Sequence, residues 1–143
     1  MFSGEYEYKI DSKGRVSIPP KFRSQFADGI VLNKGVDGCI DAYPLPAWNE
    51  ATNQFQSLPI VRNEKSRRMS RILFSSAFNM ELDEQGRIML PPALRQHAAI
   101  KDTLVITGVS NYLEIWSKES WNKEQALIKK ETWQIFESAE PHK

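Results

Sequence analysis

Asp11-Ser12-Lys13-Gly14-Arg15-Val16-Ser17-Ile18-Pro19-Pro20-Lys21-Phe22-Arg23 recurs without gaps as Asp83-Glu84-Gln85-Gly86-Arg87-Ile88-Met89-Leu90-Pro91-Pro92-Ala93-Leu94-Arg95. The Asp, the Gly, the Arg after it, both prolines and the final Arg are identical. Val16/Ile88, Ile18/Leu90 and Phe22/Leu94 exchange conservatively, so the copies share a burial pattern as well as a motif. The match resumes downstream with a small shift. Ile30-Val31-Leu32 pairs with Leu104-Val105-Ile106, Gly35 with Gly108, Tyr43 with Trp116, and Trp48-Asn49 with Trp121-Asn122.

Local pattern reads the same way in both copies. Tyr6, Tyr8 and Ile10 alternate with Glu5, Glu7 and Lys9, the period of a strand with one buried face, and Phe78, Met80 and Leu82 repeat it. Asp-x-x-Gly then supplies turn chemistry, because the carboxylate accepts a nearby backbone N–H and glycine tolerates positive φ. Asp11 with Gly14 and Asp83 with Gly86 are therefore the turn-forming motif. A short strand follows, Arg15 to Ile18 or Arg87 to Leu90, and Pro-Pro ends it by removing ladder donors and pre-setting a helical turn. Phe22 and Phe26 at i, i+4 suit that short helix. Two further strands complete each copy: Ile30 to Asn33 with Cys39 to Tyr43, and Thr103 to Thr107 with Tyr112 to Trp116.

A copy of about 40 residues is close to the size at which one core rarely stabilises itself. The expected architecture is therefore α+β: two β repeats paired about a pseudo-twofold axis and sharing one β-core, with flanking helices and a C-terminal helix. The expected units are repeat 1 over 5–47, an intervening helical segment over 48–76, repeat 2 over 77–119, and a C-terminal helix and tail over 120–143. Between the repeats, Pro46, Trp48, Thr52 and Phe55 predict one helix, closed by Leu58-Pro59, and Met69, Ile72 and Leu73 a second from about Val61 to Phe74. Ser117 is the expected N-cap of a helix spanning Ser120 to Glu137, with Trp121, Ile128 and Ile135 at heptad spacing. Trp133 and Phe136 lie off that stripe. Such an excess suits docking on another subunit or, the reading favoured here, packing on the helix's own domain.

The 143 residues suit one compact unit, and a composition 41% hydrophobic and 26% charged excludes disorder. Uncharged apolar runs fall well short of the ~18 residues that span a bilayer. The opening Met-Phe-Ser-Gly-Glu-Tyr-Glu has no basic region before an apolar one, so a cytoplasmic protein with no membrane partner is expected. Cys39 is the single cysteine; with only His97 and His142 it supplies neither a disulfide nor a structural zinc set, and no metal or cofactor is expected. Cys39 aligns with Tyr112 and reads as a small strand hydrophobe, and His97, beside Leu94 and Ala98, reads as structural.

The formal net charge of +1 argues at first against a nucleic-acid partner, but it is a cancellation. Lys9, Lys13, Arg15, Lys21 and Arg23 against Asp11 give one segment of +4, and Arg62, Lys65, Arg67, Arg68 and Arg71 against Glu64 give another. The remainder is net acidic. Local sign asymmetry decides where a polyanion docks. Arginines on a polar helix face are more often solvated surface than a binding site, so Arg62, Arg67, Arg68 and Arg71 rank as flanking residues. Arg15 and Arg87, at equivalent places beside a tight turn, are placed to straddle a duplex groove, contacting phosphates or reading guanine O6 and N7. Paired Asp11 and Asp83 raise acid/base catalysis, but each has a sufficient role in its turn, and neither is accompanied by a His, metal set or nucleophile. No catalytic residue is assigned.

Together, Met-Phe-x-Gly-Glu-Tyr at the start, Asp-x-x-x-Arg at Asp11/Arg15 and Asp83/Arg87, Gly-Arg-x-x-x-Pro, Arg-Arg-Met-Ser-Arg-Ile-Leu-Phe at 67–74 and Leu-Glu-Ile-Trp at Leu113 to Trp116 resemble the MraZ family. That is a family of bacterial transcriptional regulators built from two SpoVT/AbrB-like swapped-hairpin domains, so the resemblance implies two swapped-hairpin β repeats sharing one pseudo-twofold β-barrel core. The resemblance covers all but about the last twenty residues. It implies a regulator binding double-stranded promoter DNA at direct repeats upstream of its own division and cell wall operon, as a homo-oligomeric ring associated with the nucleoid. Arg15 becomes the expected main contact, helped by Lys13 and Lys9, with Arg87 secondary. Glu84-Gln85 stands where the first turn has Ser12-Lys13, so equal DNA contact by both copies is not implied. The rival reading is an oligomeric scaffold of the same fold whose basic patches meet an acidic protein partner.

Overall fold

In the computed structural model, which describes residues 1–56 and 63–139, the two copies exchange strands. Copy one contributes β1 (Glu5–Lys9), β2 (Arg15–Ser17), a 3-10 helix (Pro20–Phe26), β3 (Ile30–Lys34) and β4 (Ile40–Pro44). Helices α1 (Leu45–Gln56) and α2 (Glu64–Ser75) follow. Copy two contributes β5 (Phe78–Met80), β6 (Arg87–Met89), α3 (Pro92–His97), β7 (Thr103–Gly108) and β8 (Leu113–Ser117), and α4 (Lys118–Ala139) ends the described chain. A six-stranded antiparallel sheet runs β1, β7, β8, β4, β3, β5, while β2 pairs with β6 in a separate ribbon. Among the described residues, only β3 with β4 and β7 with β8 pair inside one copy; β1 with β7, β5 with β3, β4 with β8 and β2 with β6 all cross between copies. The class is α+β, as expected. Exchanging the copies maps the strand order onto its own reverse, so a pseudo-twofold axis runs between β4 and β8 and between β2 and β6. Val16 opposite Ile88 and Asp41 opposite Glu114 lie on it.

Alternation along these strands decides what each face buries. Ile30, Leu32, Ile40, Ala42, Leu104, Ile106, Leu113 and Ile115 point to one side, where they form the core with Val16, Ile18, Ile88 and Leu90 of the ribbon and Phe22 and Leu94 of the two short helices. Tyr6, Tyr8, Phe78 and Met80 close the margins of that core, half-buried as their alternation predicts. The strands read as Cys39 to Tyr43 and Tyr112 to Trp116 begin one residue later. Cys39 and Tyr112 instead close turns, their carbonyls accepting the N–H of Gly35 at 2.8 Å and of Val109 at 2.9 Å.

Helices cover the other side. Trp48 of α1 packs edge-on against Tyr43 and against Phe74 of α2, and buried Asn33 donates through Nδ2 to the Leu73 carbonyl. The second helix starts at Glu64, after Asn63 caps it by accepting the Ser66 N–H at 2.8 Å; Val61, Leu58-Pro59 and Arg62 lie outside the described residues. Helix α4 begins at Lys118, earlier than expected, with Ser117 Oγ accepting the Ser120 N–H as a cap should. Trp121 is buried against Trp116, Val105 and Cys39. Packing of the whole helix on its own domain is corrected by the distal half: Trp133 is 81% exposed and Phe136 69%, with Ile128 and Ile135 also uncovered. At ~1.5 Å per residue the helix's 22 residues run about 33 Å.

On the axis, the outer face carries a charge conflict. Asp41 and Glu114 are directly opposed across β4 and β8, and the buried Cys39 thiol donates to both, at 3.6 and 3.7 Å. Tyr43 stacks on Tyr112 alongside, with ring centroids 4.6 Å apart. Burial first, then the facing Glu114, push the Asp41 carboxyl up to about 6, and burial raises Glu114 as well. Burial and the same two carboxylates push the Cys39 thiol up. A carboxyl raised above its ordinary 3.8 favours the fold most when protonated, so its contribution is present below about pH 4 and lost as the pH rises through about 6. Asp41→Asn keeps an acceptor for Cys39 and removes one of two like charges. Thermal melts at pH 4.5 and 7 should show the variant a few degrees more stable than wild type at pH 7, with the gap narrowing at pH 4.5. Parallel pH profiles would contradict this account.

Candidate nucleic-acid interface

Each Asp-x-x-Gly-Arg segment folds into the same closed turn. Asp11 Oδ1 accepts the backbone N–H of Lys13 at 2.9 Å and of Arg15 at 2.8 Å, and Oδ2 accepts Arg15 Nε at 2.7 Å. Asp83 repeats the set with Gln85, Arg87 and Arg87 Nε, all at 2.9 Å. Gly14 at φ +77° and Gly86 at φ +74° close the turns in the left-handed region that favours glycine. The backbone N–H of the arginine is the strongest influence on each aspartate. With the Nε and the second N–H, it holds both carboxyls below their ordinary 3.8.

One consequence bears on recognition. An arginine fastened through Nε still offers its two terminal nitrogens, and neither Arg15 nor Arg87 uses them in a hydrogen bond or ion pair among the described residues. The ribbon then aims both in one direction. Val16 and Ile88 point into the core, so Arg15, Ser17, Arg87 and Met89 occupy the outward face. Arg15 stands opposite Met89 and Arg87 opposite Ser17, an offset of two residues, or about 7 Å along the ribbon.

The other cations are distributed unevenly. Lys9 and Lys13 are exposed at the first turn. Lys21, counted in the same basic segment, lies 5.1 Å from the ring centroids of Tyr6 and Phe22. Helix α2 holds exposed Arg67, Arg68 and Arg71, with Arg68 paired to Glu64 at 2.6 Å. That helix meets the sheet on its outer face, where Asn33 donates to the Leu73 carbonyl, whereas the ribbon lies on the inner face. His97 reaches across to the Gly35 carbonyl at 2.9 Å, a structural contact. Arg23, counted in the sequence only as part of a basic segment, and Arg95, given no role there, lie against the two turns. The signal was there, in their identity at the end of the repeated stretch.

Comparison with known proteins gives a consistent picture. A family profile described as "MraZ protein, putative antitoxin-like" matches residues 1–72 and again 73–139. A "Transcriptional regulator MraZ" of Dehalococcoides mccartyi is 43% identical over 143 residues, covering 99% of this chain and 100% of that protein. Proteins of the same description from Herpetosiphon aurantiacus and Limosilactobacillus reuteri are each 46% identical, the first over 85% of this chain and 84% of its own length, the second over 86% of both.

The aspartates' contribution to stability is present at neutral pH and is lost as the pH falls below their ordinary 3.8. Asp11→Ala removes the acceptor for three donors of the first turn and should lower the melting temperature by several degrees at pH 7. Asp11→Asn, which can still accept the two backbone N–H groups, should lower it less. Equal melting temperatures for wild type and Asp11→Ala would show that the turn does not depend on this carboxylate.

Proposed function

The chain belongs to the MraZ family, and on that footing we propose that it is a DNA-binding transcriptional regulator acting at short direct repeats in the promoter of its own division and cell wall operon. The protein is not an enzyme: its paired aspartates are engaged in the turns. The observation that carries the DNA reading is the pair Arg15 and Arg87, each held through Nε by its own aspartate and displayed on one face of the ribbon. A guanidinium fixed in this way presents a planar fork to phosphate oxygens or to guanine O6 and N7 at little further cost in side-chain entropy. Arg15 is the main contact, because Lys13 and Lys9 add positive charge around it while Glu84 and Gln85 stand beside Arg87. Arg87 is secondary, and Arg62, Arg67, Arg68 and Arg71 flank the site.

The repeats over 5–47 and 77–119 act as one binding unit, joined by 48–76. The segment over 120–143 serves assembly into a homo-oligomeric ring, a reading supported by uncovered Trp133 and Phe136 on α4. A ring presenting many ribbons to spaced repeats gains affinity through effective concentration that one ribbon lacks. The expected place of action is the cytoplasm, on the nucleoid. The proposal calls for no cofactor.

Arg15→Ala should fold and assemble as wild type does, yet lose at least tenfold in affinity for a duplex from the region upstream of its own gene. Arg87→Ala should lose less. For the wild type, log affinity should fall with log salt at about 0.9 per phosphate contacted. Unchanged retardation by Arg15→Ala, or a flat salt dependence, refutes the assignment.

A further inference from the structure

Neither turn is complete within its own copy. A Cβ built on Gly14, in the first copy's turn, would stand 3.2 Å from the guanidinium carbon of Arg95, a residue of the second copy. A Cβ on Gly86, in the second copy's turn, would collide with Nε of Arg23, a residue of the first. The exchange follows from the ribbon. Leu90 N–H donates to the Gly14 carbonyl at 2.8 Å and Ile18 N–H to the Gly86 carbonyl at 2.9 Å, so the helical turn after each Pro-Pro lands beside the other copy's loop. Arg23 and Arg95 are partly exposed, and neither forms an ion pair among the described residues. They differ in how they are held. Arg23 donates through Nε to the Ile18 carbonyl at 2.9 Å, whereas Arg95 Nε is buried with no hydrogen-bond partner among the described residues.

We propose that Arg95 and Arg23 are phosphate-contacting residues serving the turn of the opposite copy: Arg95 acts with Arg15 and Lys13, and Arg23 acts with Arg87. This rests on the DNA-binding function proposed above. A cation laid over the glycine beside an anchored arginine places two guanidinium forks at one turn, an arrangement that favours a polyanion. The first turn then gathers Lys13, Arg15 and Arg95, while the second gathers Arg87 and Arg23 beside Glu84. The copies are therefore unequal, and neither is a DNA-binding unit by itself.

The test uses the full chain, the upstream duplex and a scrambled duplex of equal length, with affinity measured across a salt series. Arg95→Met keeps an aliphatic cover over Gly14 and removes the fork. It should melt near wild type and lower the log–log salt slope by about 0.9 for each subunit engaged through the first turn. Arg95→Lys should recover most of that slope. In an Arg87→Ala background, the effect of Arg23→Met should shrink, while Arg95→Met should keep its full effect. A wild-type slope for Arg95→Met, or dependence that follows the order of the repeats rather than crossing between them, overturns the proposal. Failure of the wild type to bind either duplex overturns the DNA reading itself, and this proposal with it.

Discussion

Three residue pairs, Arg15 with Met89, Val16 with Ile88 and Ser17 with Arg87, determine the arrangement of everything around them. A two-stranded ribbon this short has no stability in water by itself. It exists because Val16 and Ile88 are buried together against the six-stranded sheet, and burial of one such side chain contributes roughly 1.5–3 kcal/mol. That burial fixes the register, since a slip of either strand by one residue would turn that strand's arginine into the core. The same pairing carries the polypeptide across the axis, so each copy's edge strand lies on the other copy's sheet and each Pro-Pro helix beside the other copy's turn.

How much of this could be read beforehand depended on whether the cause was local. The turns were legible, because an aspartate bonding N–H groups two and four residues onward leaves its signature within five letters. Alternation along Tyr6, Tyr8 and Ile10 gave away a half-buried strand for the same reason, and the doubled motif required two copies to share a core. Asp41 and Glu114 were not legible as neighbours. They are 73 residues apart and meet only because β4 and β8 cross the axis in one register. Arg23 and Arg95 were visible as a repeated identity, but an unswapped hairpin would have placed each beside its own turn. Hydrophobicity in α4 was plain, whereas its failure to fold back on the body depends on where β8 ends and the helix departs.

Conflict is concentrated on the axis, at the end away from the ribbon. Opposed carboxylates in adjacent strands disfavour one another, and the Cys39 thiol between them can relieve the contact only by donating weakly to both. The sheet tolerates this because the surrounding positions, Ile40 opposite Ile115 and Ala42 opposite Leu113, are buried on the other face and hold the strands together. Register there is chosen by the apolar face, and the acidic pair is its by-product.

That by-product gives the near-neutral net charge a direction. The axis has cations at its ribbon end, in Arg15, Arg87, Arg23 and Arg95, and carboxylates at its sheet end, where Asp37 and Glu124 add to the field felt by Glu114. A body of +1 has little long-range attraction for a polyanion, so random encounters are weakly held. On the proposed DNA-binding reading, a close duplex is attracted at the ribbon and repelled at the acidic face, which selects orientation rather than raw affinity. Affinity must then come from number. In the proposed ring, several ribbons held in register would each be weak and would together bind spaced sites firmly.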